Sequence, residues 1–285
     1  MENTRGSILM ALAMAAFAIE DMFIKSASQT LPVGQVLIVF GLGGMLIFIA
    51  LTKKRKERVI HPAILQRPIL LRALSEVIGR LSFTLAIAFT PLSSASAILQ
   101  ATPLVVVLGA IIFFKEKVGW RRWFAIFIGF VGVLIILRPG LEGFEPASIF
   151  AVIGTLGFAG RDLATRAAPP VLSNMQLGVY GFFMLIPSGV LALWFDNSVS
   201  WPSMIAWLYM LGAIVIGVLA YYALTAAMRT GDVSVVTPFR YTRLIFALIL
   251  GIFIFGERPD FMTLLGSAVI VLSGLYSLSR GNSAK

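Results

Sequence analysis

Residues 203–228 read SMIAWLYMLGAIVIGVLAYYALTAAM, an apolar run without a single charged side chain. A helix needs about 20 mainly apolar residues to cross the hydrocarbon core of a bilayer, and this run supplies them. Working outward, nine further runs of the same kind fill the chain, at 6–27, 33–52, 68–89, 93–113, 120–138, 147–167, 174–194, 233–255 and 261–279. The fold class expected is an all-α integral membrane protein with ten transmembrane helices. The connections are too short to hold a folded domain outside the membrane, so the work must be done within it.

Composition agrees. Of 285 residues, 59% are hydrophobic and 13% charged, about half the charged share of soluble domains. Mean hydropathy is +0.94, more apolar surface than a soluble chain of this size could keep from water. With no cysteine and one histidine, His61, disulfides, cysteine- or histidine-based metal sites and a histidine triad fall away. No metal and no cofactor is expected. The net charge of +10 would suggest nucleic acid in a soluble protein. Here the basic residues lie between the apolar runs, where they suit loops and lipid headgroups, and no nucleic-acid partner is expected.

The same basic residues orient the chain. KKRKER (53–58) follows the second run, Arg67 and Arg72 come next, and Lys115, Lys117, Arg121 and Arg122 follow the fourth. Arg5, Arg166, Arg229, Arg280 and Lys285 fall on that side too, against Lys25, Arg138 and Arg258 on the other. The positive-inside rule then puts both termini in the cytoplasm. Short loops with this bias suit a multi-pass protein of a bacterial plasma (inner) membrane. Small residues in AMAAFA (13–18) raise the possibility of a cleaved signal peptide, but Glu20 and Asp21 follow at once and speak against it.

A shift of 141 residues lays the chain on itself without a gap. Phe17 falls on Phe158, Asp21 on Asp162, Lys25 on Arg166, Gln35 on Gln176 and Ser93 on Ser234. IIFFKEK (111–117) falls on IFIFGER (252–258), aligning Glu116 with Glu257. Five spans in each half invert the second copy relative to the first. The expected domains are therefore 1–141 and 142–285, two inverted five-helix repeats around a central cavity. Inverted repeats are a hallmark of secondary transporters, with the site at the repeat interface; the simpler reading is a duplication that only stabilises a bundle.

These residues resemble the drug/metabolite transporter superfamily, in its ten-helix EamA-type branch. The resemblance covers nearly the whole chain and is best in Ser96–Arg122 (SAILQATPLVVVLGAIIFFKEKVGWRR) and Ser234–Asp260 (SVVTPFRYTRLIFALILGIFIFGERPD). Each has a polar helix start, an apolar helix and a Glu before the last span of its repeat. Gly129, Gly132, Gly266 and Gly274 in the final spans fit as well. The repeats depart from each other at Pro103, whose place Leu244 takes, while Pro238 comes earlier in the second copy; the two helices are expected to bend differently. The resemblance implies a basket of helices whose spans 1, 3, 4, 6, 8 and 9 line a central cavity. It also implies alternating access driven by a gradient, since the chain has no GxxxxGK[ST] motif.

Ten ionisable residues fall within the spans: Glu20, Asp21, Lys25, Glu76, Arg80, Arg161, Asp162, Arg166, Arg240 and Arg243. A charge near the bilayer centre costs roughly 2.5–3.5 kcal/mol on insertion scales, so such residues face protein or water and are functional by default. Asp21–Lys25, Glu76–Arg80 and Asp162–Arg166 are spaced i, i+4, as pairs on one helix face. The first and last, at matched places in the repeats, read as gating or structural ion pairs. Glu76–Arg80, with Phe83 beyond, reads as cavity-facing, and Glu76 as a candidate proton-coupling group. Arg240 and Arg243 have no acid within four residues to neutralise them, and a guanidinium grips carboxylate or phosphate with two hydrogen bonds. They point to an anionic substrate group, or alternatively to pairing with Glu20 or Glu76.

Further cavity candidates are Phe17, Phe158, Tyr221, Tyr222, Tyr241, Ser96 and Gln100. In a chain with 12% aromatics any one of these is as readily packing as ligand. The KKRKER run reads as a solvated loop and Gly154, Gly157 and Gly160 as a close-packing stripe. The five tryptophans read as an interfacial belt. The function expected is a secondary transporter of small metabolites, with a zwitterionic or anionic substrate and the lipid bilayer as partners, as monomer or homodimer. Within the resemblance the lean is to export of amino acids, aromatic ones included; the alternative is an uptake carrier for a vitamin or nucleotide-like metabolite. Enzymes are disfavoured by the lack of HExxH, GxSxG and a cysteine nucleophile. A channel is disfavoured by paired charges at mid-helix.

Overall fold

The structure, a computed structural model, describes residues 2–114, 120–138, 145–195, 199–228, 230 and 237–279. Every apolar run carries helix. In chain order these are α1 (Glu2–Ala27), α2 (Val33–Lys54), α3 (Arg67–Phe89), α4 (Leu92–Leu99), α5 (Thr102–Phe114) and α6 (Trp120–Leu137). They continue with α7 (Ser148–Arg166), α8 (Asn174–Phe183), α9 (Leu185–Phe195), α10 (Met204–Met228), α11 (Thr242–Phe255) and α12 (Phe261–Ser279). Five helical stretches among the described residues are long and apolar enough to cross a bilayer: Thr4–Ala27, Val33–Lys54, Leu92–Phe113, Asn174–Phe195 and Met204–Ala227. The exterior fits the same solvent. Leu12, Leu46, Leu74, Phe127, Leu208 and Ile249 are exposed while Glu20, Asp21, Glu76 and Arg80 are buried, the reverse of a soluble protein.

The fourth run is not one helix but two. Pro103 has no N–H, and its ring excludes the carbonyl of residue 99 from the usual ladder. The chain answers with tighter bonds, Gln100 N–H to the Ala97 carbonyl and Ala101 N–H to the Ile98 carbonyl, each near 3 Å. The Leu99 carbonyl accepts from the Thr102 hydroxyl at 2.6 Å instead. α4 is thus a separate segment ending deep in the protein. The second copy bends earlier: a tight turn at Thr237–Tyr241 carries Pro238 before α11 begins.

Packing pairs α1 with α10 and α3 with α7, α6 with α12, and α2 with α8 and α9; α1 also meets α11, and α5 meets α7. The glycine stripe of α7 lies against α3. A Cβ on Gly157 would collide with the Gly79 backbone, and one on Gly154 would press on Phe83 at 3.0 Å. Small residues let these two charge-bearing helices approach closely. Two glutamines clamp loops across the molecule. Gln35 on α2 donates to the Ser200 carbonyl at 2.8 Å and accepts from its N–H at 3.2 Å. Gln176 on α8 donates to the Arg58 carbonyl at 2.7 Å. That second bond holds the basic loop, whose Lys53, Lys54, Arg55, Lys56 and Arg58 side chains are exposed. All five tryptophans are exposed near helix ends, as an interfacial belt requires.

Candidate functional site

The buried charges pair mainly across elements, with two contacts made along a single helix. Asp21 on α1 accepts from Arg243 of α11 at 2.5 Å. Its neighbour Glu20 accepts from Arg80 of α3 at 2.7 Å; both acids are 0% exposed. Asp162 on α7 bridges two arginines, Arg161 beside it at 3.0 Å and Arg240 at 2.6 Å. Glu76 on α3 meets Arg161 at 3.5 Å and Arg72 at 3.9 Å.

Two of the pairings expected from spacing are therefore corrected. Asp21 does not take Lys25. The lysine extends toward the end of α1 and donates to the Ile87 and Thr90 carbonyls at 2.9 and 2.6 Å, where α3 ends without further helical donors. Glu76 and Arg80 share a helix but turn to different neighbours, α7 and α1. Across helices Glu20 and Asp21 each take one short bond from a guanidinium, that of Arg80 and that of Arg243 in turn, charge-assisted bonds of the stronger kind. The third pair cannot be compared, because the Arg166 side chain lies outside the described residues, as do Glu116 and Ser234.

The arginines also lie over aromatic faces. Arg243 sits 5.1 Å from the Phe17 ring centre and 5.3 Å from Phe83. Arg161 and Arg80 sit 4.8 and 5.9 Å from Phe158. Such stacking offsets part of a guanidinium's desolvation. Phe17 and Phe158, aligned in the sequence at the 141-residue shift, thus each lie under an arginine, although those arginines do not align with one another.

Beside this network lies a small, partly open cleft with a cavity volume of about 50 Å³. Its wall includes Arg80, Arg161, Arg240, Arg243, Gln100, Thr102, Phe17 and Phe158, with Met14, Leu99, Pro103 and Leu224. Among the described residues no carboxylate lines it. Glu20, Asp21 and Asp162 stand behind the arginines they neutralise, so the cleft presents donors. Among the described residues the Nε groups of Arg80, Arg240 and Arg243 have no hydrogen-bond partner. The network holds five described arginines (Arg72, Arg80, Arg161, Arg240, Arg243) against four acids (Glu20, Asp21, Glu76, Asp162), a surplus of one positive charge. Chemically, this wall can take one anionic group and has aromatic surface beside it.

The remaining candidates divide. Gln100, at the break after α4, donates to the Arg240 and Tyr241 carbonyls at 3.3 and 3.0 Å and so ties the two bent segments together. Ser96 is buried on α4, its hydroxyl without a partner among the described residues. Tyr241 is buried beside the cleft but is not in its wall. Tyr221 is buried away from it, packed on Phe48 and Phe182, and accepts from Arg72. Tyr222 is 39% exposed on the outer face of α10. Adjacent residues on a helix differ by about 100°, and here the turn places Tyr221 in the packing and Tyr222 outside it. Arg72 is the residue the sequence reading missed. Counted with the loops, it is buried and donates to Thr165 at 3.1 Å. Its signal was one more turn of the same spacing: Arg72, Glu76 and Arg80 form a ladder at i, i+4 and i+8.

The sequence model of the EamA-like transporter family matches residues 4–138 and again 146–279. A riboflavin transporter of Vibrio cholerae is 32% identical over 205 residues, 72% of this chain and 68% of that protein. An S-adenosylmethionine uptake transporter of Rickettsia bellii is 29% identical over 209 residues, 73% of this chain and 70% of its own. The pseudopaline exporter CntI of Pseudomonas aeruginosa is 25% identical over 279 residues, 96% of both chains. One crystal structure of a protein superposes with a TM-score of 0.64, covering 96% of this chain and 98% of that one, at 15% identity, a likeness of fold alone.

Proposed function

The chain belongs to the EamA-like transporter family, a multi-pass membrane transporter of small molecules, and on that premise we propose that it is an uptake carrier for a vitamin or nucleotide-like metabolite bearing an anionic group. One observation carries this reading: among the described residues, four arginines and no carboxylate line the central cleft. A guanidinium is permanently charged and holds carboxylate or phosphate in a fixed, two-bond geometry. The aromatic rings of Phe17 and Phe158 beside it suit a flat heterocycle. The riboflavin and S-adenosylmethionine transporters among its relatives support a vitamin or nucleotide-like substrate over the amino acids expected first; the anionic group is supported by the arginine wall alone.

The carrier works by alternating access between two inverted five-span repeats, 1–141 and 142–285. Three observations support this. The family model matches twice, once in each half. The helix pairs are exchanged: α1 meets α10 while its repeat mate α7 meets α3, the mate of α10. Gln35 and Gln176, also mates, each clamp the loop of the opposite half. The Lys and Arg bias supports cytoplasmic termini in a bacterial inner membrane.

The test is uptake into proteoliposomes of labelled riboflavin, S-adenosylmethionine and a panel of amino acids, with and without a pH gradient. Saturable uptake of one of the first two, or of another vitamin or nucleotide-like metabolite that carries a carboxylate or phosphate, is expected. Uptake confined to amino acids would return the reading to amino-acid export, which the full-length likeness to an exporter favours. No uptake of any compound by folded protein would overturn both.

A further inference from the structure

Two cavities lie at the two ends of α4. The central cleft meets its inner end at Leu99 and Gln100. A second, partly open cavity of about 250 Å³ meets its outer end at Pro91, Ser93 and Ser94 and is walled by the turn that carries Glu257 and Asp260. α4 has eight residues, about 12 Å at 1.5 Å per residue. A helix of that length is what separates the two spaces.

Glu257 stands at this partition. It accepts from the Leu92 N–H at 2.6 Å with one oxygen and from the Ser93 N–H at 3.0 Å with the other. A carboxylate from a distant turn thus caps the positive end of α4. Lys25 lies 3.8 Å from the same carboxylate and binds the last carbonyls of α3. One carboxylate and one ammonium therefore tie together α1, the α3–α4 turn and the α11–α12 turn. The seat for Glu257 is built into the fold. Gly256, at φ +62°, turns the chain out of α11, a conformation that favours glycine. At Gly251, a Cβ would come within 2.5 Å of a Glu257 oxygen. Neither Lys25 nor Glu257 belongs to the arginine network of the central cleft.

We propose that the second cavity is one mouth of the transport path, and that Glu257, held by Lys25, is the latch that closes it against the central cleft. The inference rests on the carrier reading. Its bonds are polar and few, so they can break and leave the N–H groups of Leu92 and Ser93 to water without disturbing the apolar packing around them. Glu257 and Lys25 are positioning residues in this account; neither is in the wall of the central cleft.

The chain has no cysteine, so single thiols can report access directly. Ser94→Cys lines the second cavity and Thr102→Cys the central cleft. A membrane-impermeant thiol reagent is added on the side where Ser94→Cys reacts. Glu257→Gln, which removes the charge from two hydrogen bonds and the ion pair, is expected to speed modification of Thr102→Cys roughly tenfold to a hundredfold. The Ser94→Cys rate should stay within about twofold. Gly251→Ala, which crowds the carboxylate off its seat while leaving its charge, should act in the same direction. If Glu257→Gln does not fold, Gly251→Ala and Lys25→Met decide the matter. An unchanged Thr102→Cys rate in the folded variants would overturn the latch. The labelling needs no substrate, so its failure leaves the carrier reading standing, whereas absent transport in the unmodified chain strikes the carrier reading and, with it, the mouth's role in transport, whatever the labelling shows of the latch.

Discussion

Arg80→Met separates what an arginine does for the fold from what it does for transport. In the structure Arg80 donates to Glu20 at 2.7 Å, stacks on Phe40 and Phe158, and forms part of the cleft wall. Glu20 is 0% exposed. Removing its partner leaves a buried carboxylate unpaired, a loss of about 3–5 kcal/mol for such pairs. For a chain of this size that corresponds to a fall in Tm of roughly 6–20 °C. Adding Glu20→Gln removes the orphaned charge, and the double variant should recover most of that loss. Transport should not recover. The wall has lost a charged donor worth about 1.5–3 kcal/mol, so uptake kcat/KM should stay roughly 10- to 150-fold down in both variants. The assays are thermal unfolding in detergent and uptake into proteoliposomes. A double variant no more stable than the single would refute the pairing, and one that transports as well as the unmodified chain would refute the role of Arg80 in the wall.

Four shorter predictions follow from the same geometry. Arg243→Lys keeps the charge but loses the fork and the stacking on Phe17 and Phe83; uptake KM should rise about tenfold, the effect of one lost charge-assisted bond. Gly157→Val would drive a side chain into the Gly79 backbone, and overpacking of this kind costs about 1–3 kcal/mol, read as a lower Tm with α7 pushed off α3. Thr102→Val leaves the Leu99 carbonyl without its donor and should cost about 1–3 kcal/mol in stability. Asp260 supplies a pH test outside the spans. Partial burial pulls its carboxyl upward, but hydrogen bonds from Thr263 and Arg138 outweigh this and hold it below the ordinary aspartate range. A depressed carboxyl stabilises the fold above its unfolded value and loses that contribution as pH falls through its folded one. At 46% side-chain exposure the effect is small. The Tm deficit of Asp260→Asn should therefore be present at pH 7 and vanish in acid.

The helical membrane fold was legible because its signals are local. Runs such as 203–228 declare their length and their solvent without reference to any partner. The break between α4 and α5 was partly legible, since Pro103 marks the spot, but that it leaves a short α4 between two cavities depends on where other helices fall. The charged residues were readable as a set and not as pairs. Spacing along one helix suggested Asp21–Lys25 and Glu76–Arg80, yet Asp21 and Glu20 find Arg243 and Arg80 on helices that only the tertiary fold brings near. Arg72 was hidden by its place at a span edge, where a buried and a solvated arginine look alike. The role of Glu257 was out of reach for the same reason: its partners, Lys25 and the start of α4, lie more than 160 residues away in the chain.

Counterflow tests the central claim most directly. Proteoliposomes are loaded with unlabelled substrate, diluted into a trace of the labelled compound, and followed in time. A carrier with one central arginine-lined site is predicted to show a transient overshoot of label inside. That overshoot should be lost in Arg80→Met and weakened in Arg243→Lys. Entry that is linear, unsaturable and indifferent to the internal load would contradict the account.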